Sequence, residues 1–362
     1  MLRNILMRTF VAIVIILGFT PAGPRLSGAA DYYQDKTIDV IVPFPPGGGS
    51  DVWIRTLIPS LEKYIPGNPR FIVRNVAAGR GIHGMNEFAL KAKGDGLQMV
   101  VSTASNYFPY LLGDKGVKYD FRQWKPLIVN PVGAAMYVAP ATGVKTLEDL
   151  PKTKGLVYAG ISASGLDIIP LLSFDLLDVP VKAVLGYKGR GEARLAFEKG
   201  ESNLDYQTTP AYNASVVPLI KEGRAIALMS FGLLDDDGKI VRDPAVPDLP
   251  TVSEVFEKLK GKKPSGTIWE AYKAFMPLAF AVQKILWVKG DTPKDAVAVF
   301  YDAADKLQKD TDFQAKANKV LGGYPTLRGD RMEKTIREAF QISPDAQNFV
   351  KNWLAKKYKV KL

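Results

Sequence analysis

The chain has no cysteine and a single histidine, His83, in 362 residues. Without cysteine there is no disulfide, no thiolate metal site, no cysteine nucleophile and no lipid-modified cysteine at a mature start. With one histidine, a Ser-His-Asp hydrolase would have only one base to draw on. The strained serine elbow Gly-x-Ser-x-Gly is also missing: Gly160-Ile161-Ser162-Ala163-Ser164 comes nearest and lacks the last glycine. A metal site built on one histidine and scattered carboxylates has too few ligands of the right kind. His83 sits in a glycine-rich turn and reads as a loop residue, with lining a ligand cleft or catalysis as the alternatives. Nothing assembles a nucleophile, a base and oxyanion donors, so the expectation is a protein that is not an enzyme, with no cofactor and no metal; a lysine or carboxylate base stays open. Beyond residue 30 no apolar run is long enough to cross a bilayer.

What is present begins with a leader. Arg3 and Arg8 precede the apolar run Phe10 to Phe19, and Gly28-Ala29-Ala30 is a small-residue cleavage site. Residues 1–30 therefore read as a signal peptide cleaved near Ala30-Asp31; an uncleaved anchor is the alternative, with a core short for a span of about 20 residues. Export without disulfides points to the bacterial periplasm and to domains large enough to stand on their cores. The length allows roughly two domains. The formal charge is +11, with three of the positive charges in the leader and a basic tail at Lys351, Lys356, Lys357, Lys359 and Lys361. For an exported chain this excess reads as a solvated face or as mild steering of anionic solutes, not as nucleic-acid binding.

The densest signal is Ile38-Asp39-Val40-Ile41-Val42-Pro43-Phe44-Pro45-Pro46-Gly47-Gly48-Gly49-Ser50-Asp51. A strand-length apolar run ends in prolines and glycines, and Ile54, Leu57, Ile58, Leu61 and Ile65 then recur at helical spacing. Glycines that let backbone N–H groups approach a ligand, followed by a helix N-terminus, make an anion site. A nucleotide P-loop would need a Lys-Ser/Thr pair after the glycines, and none is present. A tight strand-to-helix turn that binds nothing fits the same residues. Ser50 or Asp51 is the expected N-cap, and Pro59 is expected to kink or end the helix.

Strand and helix patterns alternate onward, as in a parallel sheet with covering helices. A second glycine turn spans Asn75 to Gly84, and Leu97 to Val101 is a strand ending at Ser102-Thr103, where open α/β sheets bind ligands. The pattern then restarts: strand Leu156 to Gly160, the small polar loop Ile161 to Gly165, a helix from about Leu166, strand Val181 to Leu185, and Gly186-Tyr187-Lys188-Gly189 before another helix. Two similar α/β lobes follow from that repetition. Asp235-Asp236-Asp237-Gly238 lacks the later ligands of a calcium loop and reads as a surface hairpin. Ala274 to Val288 is apolar and aromatic and suits a crossing back to the first lobe. Helices fill the rest.

Ile41 to Asp51 closely resembles the first motif of the Bug/TctC family, the periplasmic solute-binding proteins of tripartite tricarboxylate transporters. Asn75, Gly81, Gly84 and Gly94-Asp95-Gly96 resemble its second motif, and Tyr187-Lys188-Gly189 its Tyr-Lys-Gly segment. Ile220 to Arg224, Asp248 to Val252 and Thr292-Pro293 resemble later ones. The resemblance implies a two-lobed periplasmic binding protein (Venus flytrap) with two Rossmann-like lobes joined by crossing strands, closing on a small organic carboxylate, aliphatic or aromatic. It implies membrane transporter subunits as partners, with an exported enzyme or a ligand sensor as alternatives. On that pattern residues 31–133 form the first lobe, 134–282 the second, and 283–362 return to the first. The implied ligand contacts are Pro46, Gly47, Gly48, Asp51, Ser102 and Thr103 in the first lobe. In the second they are Ser162, Ala163, Ser164, Gly165, Tyr187, Lys188 and Thr208. Departures from the family pattern gather mainly in the second lobe: Leu166 and Asp167 replace small hydroxyls there, and Asn203 and Gln207 replace aspartates. In the second motif Ala78 and Arg80 replace glycines.

Overall fold

A computed structural model describes residues 32–235 and 237–362; the leader and its cleavage site lie outside the described residues. Strand β1 (Thr37–Val42) pairs in parallel with β2 (Arg70–Asn75) on one side and β3 (Gln98–Ser102) on the other. Helix α1 (Gly49–Tyr64) connects the first two, with Trp53, Ile54, Leu57 and Leu61 buried against the sheet. Pro59 does not end α1: the helix continues to Tyr64 with the proline on its exposed face. Burying those four side chains contributes about 2 kcal/mol each. That outweighs the roughly 3 kcal/mol a helix-interior proline costs.

Helices α2 (Ile82–Lys91) and α3 (Ala104–Leu112) flank β3, and β4 (Trp124–Asn130) closes the first pass through this sheet. The chain then crosses over Pro131 to Gly133 into β5 (Ala134–Val138) of a second sheet. There β6 (Leu156–Gly160), β7 (Val181–Leu185), β8 (Leu204–Thr208) and β9 (Ile226–Ser230) complete the order β7-β6-β8-β5-β9. Helices α4 (Ile168–Leu176) and α5 (Arg190–Glu198) cover it. A hairpin of β10 (Leu233–Leu234) and β11 (Ile240–Val241) carries the acidic turn read as a surface hairpin.

After α6 (Val252–Lys260) and α7 (Thr267–Met276), the apolar segment around Pro277–Ala281 returns the chain to β12 (Lys284–Lys289) in the first sheet. The two crossings touch: Val132 N donates to Phe280 O at 3.0 Å. Helices α8 (Lys294–Lys309) and α9 (Thr311–Leu321), strand β13 (Leu327–Arg328), and helices α10 (Gly329–Ala339) and α11 (Pro344–Tyr358) finish the molecule.

The first sheet runs β13-β4-β12-β3-β1-β2. Both sheets are mixed rather than parallel. Strand β12 is antiparallel to β3 and β4, and β5 is antiparallel to β8 and β9. The elements that change lobe run against the local direction, which a reading of local alternation does not register. Among the described residues no helix is long and apolar enough to cross a membrane.

Candidate ligand site

The β1–α1 turn is built from its glycines outward. Gly47 takes φ 79°, a left-handed value that costs glycine nothing. Gly48 is the N-cap of α1, extended and without a side-chain cap, which corrects the assignment to Ser50 or Asp51. Asp51 sits further into the first turn and reaches back. Its carboxylate accepts from Gly47 N and Asn75 Nδ2, each at 3.0 Å, and from Arg55 Nε at 2.8 Å. The acid is favoured there by the helix dipole, and its bonds hold the loop in shape. The first intrahelical bond is Val52 N to Gly48 O, so the N–H groups of Gly49, Ser50 and Asp51 precede it and have no acceptor within the helix.

Facing this turn is the start of β12. Lys284 is 2% exposed and donates to Ser50 Oγ at 3.0 Å. Among the described residues it pairs with no carboxylate, and burial lowers its ammonium to about 7. Gln283 beside it is fully buried, and neither its amide nitrogen nor its oxygen has a partner. Together with Gly48, Gly49, Ser50, Thr103, Ser105, Arg190 and Thr208, these residues line a cavity of about 30 Å³ between the lobes, room for one or two waters. A larger hollow of about 750 Å³ opens elsewhere on the first lobe, among Phe121, Trp124, Trp287 and Phe340. Two residues with unpartnered buried donors, Gln283 and Arg190, line the small cavity, and none lines the aromatic one.

The second lobe meets the turn closely. A Cβ on Gly49 would fall inside Thr208 Oγ1, one on Gly189 would press on Pro45 at 2.7 Å, and Gly191 lies against Pro46 and Gly47. Arg190 crosses behind them, 8% exposed, bonded to Asp205, to Asp167 at 3.4 Å and to the carbonyls of Ala159 and Tyr206 at 2.9 and 2.7 Å. Its Nε has no partner.

Of the contacts the resemblance implies, Gly48, Thr103 and Thr208 line the cavity, while Pro46 and Gly47 stand at its exposed rim. Ser102 turns the other way. Its Oγ lies 2.6 Å from Tyr107 Oη and accepts from Trp287 Nε1 at 2.5 Å, inside the first lobe's core. The loop of Ser162, Ala163, Ser164 and Gly165 is already engaged. Asp167 accepts from Ile161 N and Ser162 N at 2.7 and 2.9 Å, supplying a carboxylate from within the lobe. Ala163 is buried in the core and Gly165 packs on Ser105. Ser162 and Ser164 face Arg80 of the first lobe, whose Nη1 donates to their hydroxyls at 3.3 and 3.4 Å.

Tyr187 packs on Ala159, Ala193 and Ala196, and Lys188 is exposed. That segment reaches the cavity through Arg190, two residues on. Gln207 bonds Arg190 O at 2.8 Å and Asp205 at 3.2 Å, within the buried network. His83 lies on the exposed face of α2.

Sequence reasoning missed Ser50, Ser105, Arg190, Gln283 and Lys284. One signal was available: Gln283 and Lys284 are the only polar residues in the run Ala274 to Val288.

No family model matches the sequence. The protein BugT of Bordetella pertussis is 28% identical over 252 residues, 67% of this chain and 72% of that protein. The fold is similar to the periplasmic binding protein BugD, with TM-score 0.68 and 18% identity, covering 91% of this chain and 99% of that one. The chain is similar to Bug/TctC-type periplasmic binding proteins in sequence and in fold. The same fold occurs in Rhodopseudomonas palustris Rpa4515, whose structure holds adipate, with TM-score 0.67 and 17% identity over 86% of this chain and 97% of that one. A cavity enclosed between two mixed sheets agrees with the two lobes expected from the repeated strand-loop-helix pattern.

Proposed function

We propose that this protein is exported to the periplasm and captures a small organic carboxylate between its lobes. It then hands that acid to the membrane subunits of a tripartite tricarboxylate-type transporter. The observation that carries the reading is the excess of buried donors at the cleft. The first turn of α1, Lys284, Gln283 with its unpartnered amide and Arg190 with its unpartnered Nε line a cavity that no carboxylate among the described residues lines. Buried donors without acceptors are costly, and an incoming carboxylate supplies acceptors with charge of the favoured sign. The adipate held by the Rpa4515 relative supports acids of that class for this chain.

The mechanism is a population shift without turnover. A cavity of about 30 Å³ does not admit a six-carbon diacid, so the lobes part to admit it, and the acid, touching both, favours closure.

Thermal-shift screening with mono-, di- and tricarboxylates tests this. An acid at a hundred times its dissociation constant adds about 2.7 kcal/mol of stability. Stabilisation by at least one acid and none by its amide is the expected result. No stabilisation by any of them contradicts the reading. Capture of the membrane transporter subunits by the ligand-loaded protein tests delivery.

A further inference from the structure

Lys284 is a sealed amine that pairs with no carboxylate among the described residues. Its one partner is the Ser50 hydroxyl, and the N-terminus of α1, with its positive dipole end, lies directly against it. The charged groups around it are all committed elsewhere. On α1, the Asp51 carboxylate is held by Gly47, Asn75 and Arg55. Across the cleft, Arg190 is locked between Asp167 and Asp205. Near the crossing, Asp243 accepts from Tyr324 Oη at 2.6 and 2.7 Å and from Ala245 N. Beside the amine, Gln283 offers an amide with both atoms free.

Resting on the carboxylate-binding reading above, we propose that Lys284 makes capture proton-linked. The ligand carboxylate seats between Nζ and the first turn of α1, a proton from solvent joins the amine as it does so, and the Gln283 amide orients the anion. No bond in the ligand changes. The burial that lowers the free amine to about 7 is the same desolvation the anion offsets. The bound amine therefore titrates higher than the free one. Between those two values binding takes up a proton, so affinity falls as pH rises through the interval; below about 7 the amine is charged in both states and affinity is flat.

The test is isothermal titration calorimetry of the mature protein and of Lys284→Gln with malate, adipate, citrate and benzoate. Titrations run from pH 6 to 9 in two buffers of different ionisation enthalpy. For an acid that binds, affinity drops by up to about tenfold per pH unit above neutrality, with close to one proton taken up per ligand at the alkaline end. Lys284→Gln binds that acid at least about tenfold more weakly at pH 6.5 and shows neither pH slope nor proton uptake. A flat wild-type profile without proton uptake overturns the proposal while leaving the carboxylate reading standing. So does a Lys284→Gln variant with the wild-type slope. If none of the acids binds wild type at any pH, the carboxylate reading falls and Lys284's role with it. Should Lys284→Gln not fold, Lys284→Met and the wild-type proton count decide.

Discussion

Ser50 Oγ accepts a hydrogen bond from Lys284 Nζ at 3.0 Å across 234 positions of sequence. That bond joins the helix turn after the first strand to the strand that returns from the second lobe. It places a buried amine, unpaired with any carboxylate among the described residues, against the positive end of α1.

Gly48 has open space where a side chain would project, with Pro45 O at 3.9 Å the nearest atom, and its backbone is extended. Gly48→Asp is therefore expected to fold like wild type and to lose carboxylate binding by two orders of magnitude or more, since a fixed carboxylate would occupy the anion's place. Circular dichroism and calorimetry check the two halves. Wild-type affinity in this variant would remove the glycine turn from the site.

Closure depends on Gly49 lacking a side chain, because Thr208 Oγ1 occupies that space in the closed form. Gly49→Ala overpacks the interface by about 1–3 kcal/mol, which predicts roughly tenfold weaker binding with little change in melting temperature. Gly49→Ala/Thr208→Ala should recover most of the loss. An additive double mutant would mean that the two residues do not meet in the bound state.

Arg80 adopts φ 60°, unusual for a side-chain-bearing residue, and reaches from the first lobe to Ser162 and Ser164 of the second. Removing these long hydrogen bonds and the half-exposed pair with Asp114 costs the closed form about 1 kcal/mol. Arg80→Ala should raise the ligand-free radius of gyration in small-angle scattering and weaken binding about fivefold. An unchanged scattering profile would show that Arg80 does not hold the lobes together.

The lone amine also shapes stability in the ligand-free protein. Its folded pKa, about 7, lies below its ordinary value of 10.5. Between those values the unfolded chain binds more protons, so stability from this group rises with pH from about 7 to about 10.5 and is level below. Lys284→Met removes that rise and stabilises the ligand-free protein near pH 7. Denaturant melts at pH 6, 7, 8 and 9 check it; parallel curves for the two proteins would place the ammonium in a solvated site.

Much of this fold was legible in sequence because it is written locally. The β1–α1 turn, the repeated strand-loop-helix units and the C-terminal helices each follow from apolar spacing and turn residues within a dozen positions. The direction of β12 and the convergence of Lys284 on Ser50 depend on pairings hundreds of residues apart, which periodicity does not encode. Ser102 illustrates the limit within one strand. Ser102 ends β3 with its side chain in the core toward Tyr107 and Trp287, while Thr103, the N-cap of α3, lines the cleft. Asp167 explains why the Ser162 loop is occupied by a carboxylate of its own lobe.

The most direct test of the account is the structure of the protein crystallised with an acid that stabilises it. The account predicts one carboxylate of that acid within hydrogen-bond distance of Lys284 Nζ and of the first-turn amides at Gly49 and Ser50. A ligand seated elsewhere, with Lys284 still bonded to Ser50 alone, would contradict it.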